Sequence, residues 1–178
     1  MVSALDLFAG AGGTDVGAAE LGVHPLGIEI DGAACATREA AGLQTHQGDV
    51  AALDPADFGP VDLILASAPC PTFSSAGKGG GRHLTDVIVR CLHELAAGND
   101  TRAERRQEAY EVLAPVYAEA ERAKAAKKKR EPDLKRADDR ARRDADMSLL
   151  VVEPLRWVLA LKPRFIALEQ VPEVLGLW

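Results

Sequence analysis

The chain has 178 residues, 47% of them hydrophobic but only 4% aromatic, and a formal net charge of -6. That length fits one domain with a sizeable core, and the composition speaks for an Ala/Leu/Val-rich α/β protein and against a disordered one. No apolar run approaches a membrane span, no signal-peptide pattern opens the chain, and Cys35, Cys70 and Cys91 have no metal-like spacing. A membrane protein, a disulfide framework and a metal site are thereby disfavoured, and a reducing cytoplasm is the expected location.

In chain order, Ser3 to Phe8 reads as a short strand and Ala9-Gly10-Ala11-Gly12-Gly13 as a tight turn. A helix capped by Thr14 or Asp15 runs through Ala18 to Leu21 and stops at Gly22. His24 to Ile30 is a second strand, and Asp31 caps a helix that passes Ala40-Ala41 and ends at Gly42. A third strand near Leu43 to His46 leads into Gln47-Gly48-Asp49-Val50. The fourth, Val61 to Ala66, is an apolar run bounded by Gly59-Pro60 and Pro69, as a buried parallel strand would be. An amphipathic helix from about Met147 to Leu161 precedes a fifth strand, Phe165 to Leu168. Strands alternating with helices predict right-handed crossovers and an open parallel sheet with helices on both faces.

Residues 100–146 interrupt this alternation. They hold 14 of the 21 Lys and Arg residues and 12 of the 27 acidic ones, and few large apolar residues. Their Ala/Glu/Arg/Lys content favours helix, and Pro132 marks a turn between two helices, which predicts a charged hairpin projecting from the body. It reads either as a solvated insertion or as a contact to nucleic acid through Lys124 and Lys127-Lys128-Lys129-Arg130. The rest of the chain has 7 basic and 15 acidic residues, a poor match to a duplex. The expected organisation is 1–99 (cofactor and nucleophile part), 100–146 (insertion) and 147–178 (remainder of the same catalytic domain).

Four places along the chain bear on chemistry. The glycines of Gly10-Ala11-Gly12-Gly13 let a ligand approach the backbone at a helix start, although the spacing does not complete the dinucleotide fingerprint. Glu29 ends the second strand, where a carboxylate accepts both hydroxyls of a ribose, and Asp49 follows the third, where it can accept from an adenine amine. Each also reads as a solvated loop acid. Cys70 stands beyond the carboxyl end of the fourth strand between Pro69 and Pro71, which stiffen the loop. It reads as a nucleophile or as a small buried hydrophobe.

Together these residues resemble the amino-terminal part of the cytosine-C5 DNA methyltransferase family. Asp6-Leu7-Phe8-Ala9-Gly10-Ala11-Gly12-Gly13 is similar to its cofactor loop, Glu29-Ile30-Asp31 and Gly48-Asp49-Val50 to its ribose and adenine segments. Pro69-Cys70 with Phe73-Ser74 and Gly77 resembles its nucleophile loop, and Leu168-Glu169-Gln170-Val171-Pro172 the strand bearing its second catalytic group. The resemblance implies a Rossmann-like fold that binds S-adenosylmethionine through Phe8, Ala9, Gly10, Gly12, Glu29, Ile30, Asp49, Val50, Pro69 and Leu150. It implies that the Cys70 thiolate adds to C6 of a flipped cytosine in DNA, so that C5 takes the methyl group. Glu169 would hydrogen-bond the base edge, its proton held by burial at the strand end.

Two residues depart from the family pattern: Pro71 stands where Gln is usual and Gln170 where Asn is usual. The family also continues beyond the equivalent of Trp178 with further strands, a target-recognition region and a closing segment. The expectation is therefore a sheet truncated after an exposed fifth strand, in a fragment or half of a split enzyme completed by a second polypeptide in a hetero-oligomer. A restriction-modification setting is implied by the family. Other readings are a transfer-RNA methyltransferase of the same family, a non-catalytic remnant that binds S-adenosylmethionine or a partner, and, less well, a nicotinamide-dependent oxidoreductase.

Overall fold

The computed structural model describes residues 2–69 and 83–171, so Cys70, its loop through Gly77, and Pro172 lie outside the described residues. The elements are β1 (Ala4–Leu7), α1 (Gly13–Glu20), β2 (Leu26–Glu29), α2 (Gly32–Ala40), β3 (Thr45–Gln47) and β4 (Leu63–Ala66). After these come α3 (Thr85–Ala96), α4 (Arg102–Lys127), α5 (Leu134–Leu149), α6 (Glu153–Leu161) and β5 (Phe165–Leu168). Two compact units result, one of residues 2–69 with 153–170 and the other of residues 83–152.

The first unit holds a five-stranded, all-parallel sheet of order β3-β2-β1-β4-β5. Strand order reverses at β1, which places the ends of β1 and β4 at the topological switch where open α/β sheets bind ligands. Period-two alternation sorts the central strands. Leu5, Leu7, Ile28, Ile64 and Ala66 join Val50 and the fully buried Trp157 of α6 in one core cluster. Asp6 and Gly27, a registered pair, face the other side. β5 takes the sheet edge and all four of its residues are exposed, Phe165 at 61% and Leu168 at 62%.

Local chemistry explains most of the boundaries. Asp31 caps α2, its side chain accepting from Ala33 N at 3.0 Å, and α1 and α2 end where expected, before Gly22 and Gly42 in the left-handed region. Two expectations need correction. Neither Thr14 nor Asp15 caps α1: its N-cap is Gly12, with no side-chain cap, because Asp15 is turned inward to Arg38. The helix expected over Met147 to Leu161 is also broken. α5 runs to Leu149, a 3-10 turn covers Leu150–Val152, and α6 begins at Glu153. Pro154 has no N–H for Leu150 and its ring obstructs that carbonyl, but it suits the first turn of a new helix.

The second unit is helical. α3 buries Val87, Ile88, Cys91 and Leu95. α4 and α5 form a hairpin around Pro132, and bury alanines and two leucines: Ala109, Leu113 and Ala125 on α4 and Ala137, Ala141, Ala145 and Leu149 on α5. Tyr110 donates to Asp138 Oδ1 at 2.5 Å and Tyr117 to Asp144 Oδ2 at 2.6 Å. Arg142 and Arg140 lie over those two rings at 4.1 and 4.5 Å. Burial and the Asp144 bond push the Tyr117 phenol to about 12.

Candidate active site

The turn after β1 is built around a strained residue. Phe8 has φ 62, in the region that side chains rarely adopt, and redirects the chain at the end of the strand. Its half-buried ring packs on the core cluster. Ala9 is buried, its N–H on the Ile28 carbonyl at 3.1 Å and its carbonyl accepting from Gly12 N–H at 3.1 Å. Gly12 has φ 98, and a Cβ there would lie 2.2 Å from Leu43 Cδ1, so only glycine fits.

Glu29 joins this turn to the loop after β3. Its Oε2 accepts from Gly10 N–H at 2.8 Å, its Oε1 from Asp31 N–H at 2.7 Å, and its carbonyl from Gly48 N–H at 2.8 Å. Each carboxylate oxygen keeps a free lone-pair direction. Ile30 beside it is 64% exposed. Asp49 is exposed, with Oδ1 on Ala51 N–H at 2.9 Å. Val50 turns its side chain into the core, so it offers backbone alone, and that carbonyl is taken by Arg156 at 2.6 Å and Trp157 Nε1 at 3.1 Å.

The structure thus brings Phe8, Ala9, Gly10, Gly12, Glu29, Ile30, Asp49 and Val50 together at the carboxyl ends of β1, β2 and β3. Pro69 is half-buried beyond β4 in the same unit. Leu150 lies in the 3-10 turn of the other unit. Glu169 follows β5, its N–H on the Ala66 carbonyl at 3.0 Å, but it is exposed, so the burial expected for it is not found. It stands at the end of an edge strand, and among the described residues no strand pairs outside β5. Gln170 is the better anchored: Nε2 donates to the Ala68 carbonyl at 2.8 Å, two residues before Cys70. Cys35 and Cys91 are buried thiols raised by desolvation, Cys91 to about 11, which makes both poor nucleophiles.

Sequence reasoning missed the group beneath the glycine turn. Arg38 is wholly buried and forms a bidentate pair with Asp15, Nη1–Oδ2 2.9 Å and Nη2–Oδ1 2.7 Å. Its other N–H groups donate to Ala9 O at 3.2 Å, Gln44 O at 3.1 Å and Thr45 Oγ1 at 3.1 Å, so all five donors are used. The guanidinium passes over Gly27, where a Cβ would lie 1.8 Å from Nη2. Asp6 stands next to this pair, 1% exposed, with no N–H facing either oxygen. Burial first, then the neighbouring Asp15 carboxylate, push its pKa to about 8, so it is protonated at neutral pH with Asp15 as acceptor. Arg38, Asp15 and neutral Asp6 sum to zero charge under the loop, and hold it from α1, α2 and both neighbouring strands.

The family model for the C-5 cytosine-specific DNA methylase matches residues 2–90, half of the chain, and spans β1 to β4 with the turn and acids just described. The chain belongs to this methylase family. Three curated methylase relatives agree. Type II methyltransferase M.NgoBI of Neisseria gonorrhoeae is 38% identical over 82 residues, 46% of this chain and 26% of the relative. M.HgiCI of Herpetosiphon aurantiacus is 39% identical over 89 residues, 46% of this chain and 20% of the relative. M.NgoMIV of Neisseria gonorrhoeae is 35% identical over 118 residues, 65% of this chain and 38% of the relative. The chain spans between a fifth and two-fifths of these methylases' length. Among the described residues no helix is long and apolar enough to cross a membrane, and no three His, Cys, Asp or Glu side chains cluster as metal ligands.

Proposed function

We propose that this chain is the cofactor and nucleophile part of a DNA cytosine-C5 methyltransferase that uses S-adenosylmethionine. The observation that carries the reading is Glu29: its carboxylate is held by Gly10 and Asp31 N–H groups with lone pairs to spare. That is the acceptor a ribose diol requires, at the strand end where nucleosides bind. The donor set fits the rest of the cofactor: Gly10 has no atom within 4 Å of a would-be Cβ, exposed Ile30 offers an apolar face to a base, and Asp49 an acceptor to an exocyclic amine. Phe8, Ala9 and Gly12 shape the turn, Val50 and Pro69 contribute backbone and ring, and Leu150, in the other unit, is named from the family resemblance alone. When bound, S-adenosylmethionine supplies an electrophilic methyl group.

In this reading the Cys70 thiolate attacks C6 of an extruded cytosine, forming an S–C6 bond and moving the electron pair to C5. C5 then takes the methyl group, and loss of its proton lets the thiolate leave. Glu169 hydrogen-bonds the base edge as charge develops there. Gln170, through the Ala68 carbonyl, fixes the end of β4 from which the Cys70 loop departs. Recognition of a particular DNA sequence, as in a restriction-modification enzyme, falls to polypeptide outside these 178 residues, in the same protein or in a partner that completes the sheet at β5.

The test is covalent trapping on DNA containing 5-fluorocytosine, where the C5 substituent cannot be lost. With S-adenosylmethionine and the polypeptide that completes the enzyme, a trapped adduct is expected that disappears in Cys70→Ser. If S-adenosylmethionine binds but no adduct forms in any such combination, the enzyme reading gives way to a binding module.

A further inference from the structure

We propose that the turn end of the α4–α5 hairpin is a binding cleft for the phosphate backbone of duplex DNA. Charge is segregated toward that end: residues 119–136 hold eight Lys and Arg against four acids, whereas the other 160 residues hold thirteen against twenty-three. The cleft measures about 640 Å³, with Lys124 and Lys128 entering from α4 and Arg136 and Arg140 from α5.

Not all of these cations are available. Arg130 is neutralised by Glu121 at 2.5 Å, and Arg140 is engaged by Asp144 at 3.2 Å. Asp133, the second acid of the cleft, caps α5 by accepting from Arg136 N–H at 3.0 Å. Lys124, Lys128 and Arg136 have no side-chain hydrogen bond or ion pair among the described residues, and all three are exposed. The helix dipole accounts for part of this, since Lys124 and Lys128 stand at the C-terminus of α4, where cations are favoured. It does not account for Arg136, in the first turn of α5, where the dipole opposes a cation. Three converging cations, none of them in an ion pair among the described residues although Glu121 lies near Lys124, and one placed against a helix dipole, suit a polyanion whose bound counterions they displace. The choice of DNA as that polyanion rests on the function proposed above.

The experiment is anisotropy of a short labelled DNA duplex with the full chain, over roughly 50 to 200 mM salt. The variant Lys124→Gln/Lys128→Gln/Arg136→Gln keeps helix propensity while removing three charges. It is expected to weaken binding about 10-fold or more at the low end of salt, and to flatten the slope of log K against log salt by about 2 to 3. A control, Arg122→Gln/Lys135→Gln/Arg143→Gln, removes the same charge outside the cleft and is expected to keep most of the affinity and slope. Equal loss in both variants, an unchanged slope, tighter binding to duplex RNA, or no wild-type binding at low salt would each overturn the proposal. Failure of 5-fluorocytosine trapping with cleft-dependent binding intact would instead remove the methyltransferase reading.

Discussion

Asp6→Asn isolates the buried carboxyl beneath the glycine turn. Burial beside Asp15 raises Asp6 from 3.8 to about 8, so the folded protein keeps a proton that the unfolded chain has released. A raised carboxyl binds its proton more tightly in the folded state, so the native state is penalised as pH rises from about 4, and the penalty levels off above about 8. At pH 7 the gap to the unfolded value is about three pH units, a cost on the order of 4 kcal/mol. Asparagine has the same shape, takes up no proton, and its amide can donate to Asp15 as the carboxyl O–H does. The variant is therefore expected to be more stable by about 4 kcal/mol at pH 7, roughly 10 °C in Tm for a chain of this size, and nearly equal to wild type near pH 4. Urea unfolding followed by circular dichroism across that range measures the gap. A gap that does not change with pH, or a variant less stable at neutral pH, would refute the assignment of a proton to Asp6.

Other outcomes follow from the same contacts. Gly27→Ala places a Cβ 1.8 Å from Arg38 Nη2, and is expected to destabilise by about 3–5 kcal/mol as the buried pair is forced apart, measured by urea unfolding. Glu29→Ala is expected to weaken S-adenosylmethionine binding by about 10-fold or more in calorimetry while the protein stays folded; an unchanged affinity would move the ribose site elsewhere. Tyr110 and Tyr117 are both raised, Tyr117 to about 12 by burial and Asp144. An ultraviolet titration of folded protein is thus expected to show little tyrosinate at pH 10, with the stability contribution of these phenols lost as pH rises from about 10, the unfolded value, through their raised folded values. Tyr117→Phe is expected to cost about 1 kcal/mol of hairpin stability, read from thermal melts.

Much of the parallel sheet was legible because its strands are short apolar runs punctuated by glycine, proline and a capping aspartate. Asp31 obeyed the local rule for a helix start; Asp15 did not. An acid near the beginning of a helix reads as a cap, but Asp15 answers to Arg38, 23 residues away, and only the folded arrangement of α1 over α2 shows it. A glycine inside β2 was the available clue, since a strand interior without a side chain marks a close approach. The break at Leu150–Val152 was readable from Pro154 and was overridden by a continuous amphipathic pattern. In the hairpin, the absence of large apolar residues suggested a solvated helix, whereas Ala137, Ala141, Ala145 and Leu149 repeat every four residues and form a contact stripe. Glu169 was expected to be buried at its strand end, while β5 itself was expected to be an exposed edge; with β5 at the edge of the described sheet, the exposure of Glu169 follows.

Trp157 gives this protein an optical gauge. Its indole is fully buried, and its N–H rests on the carbonyl of Val50, one residue from Asp49. Anything that pulls on the Gly48–Val50 segment changes the field at that ring and hence its emission. Substituting Phe for Trp178 leaves Trp157 as the sole tryptophan of the chain. Occupancy of the loop could then be followed by the colour of its light, without label or turnover.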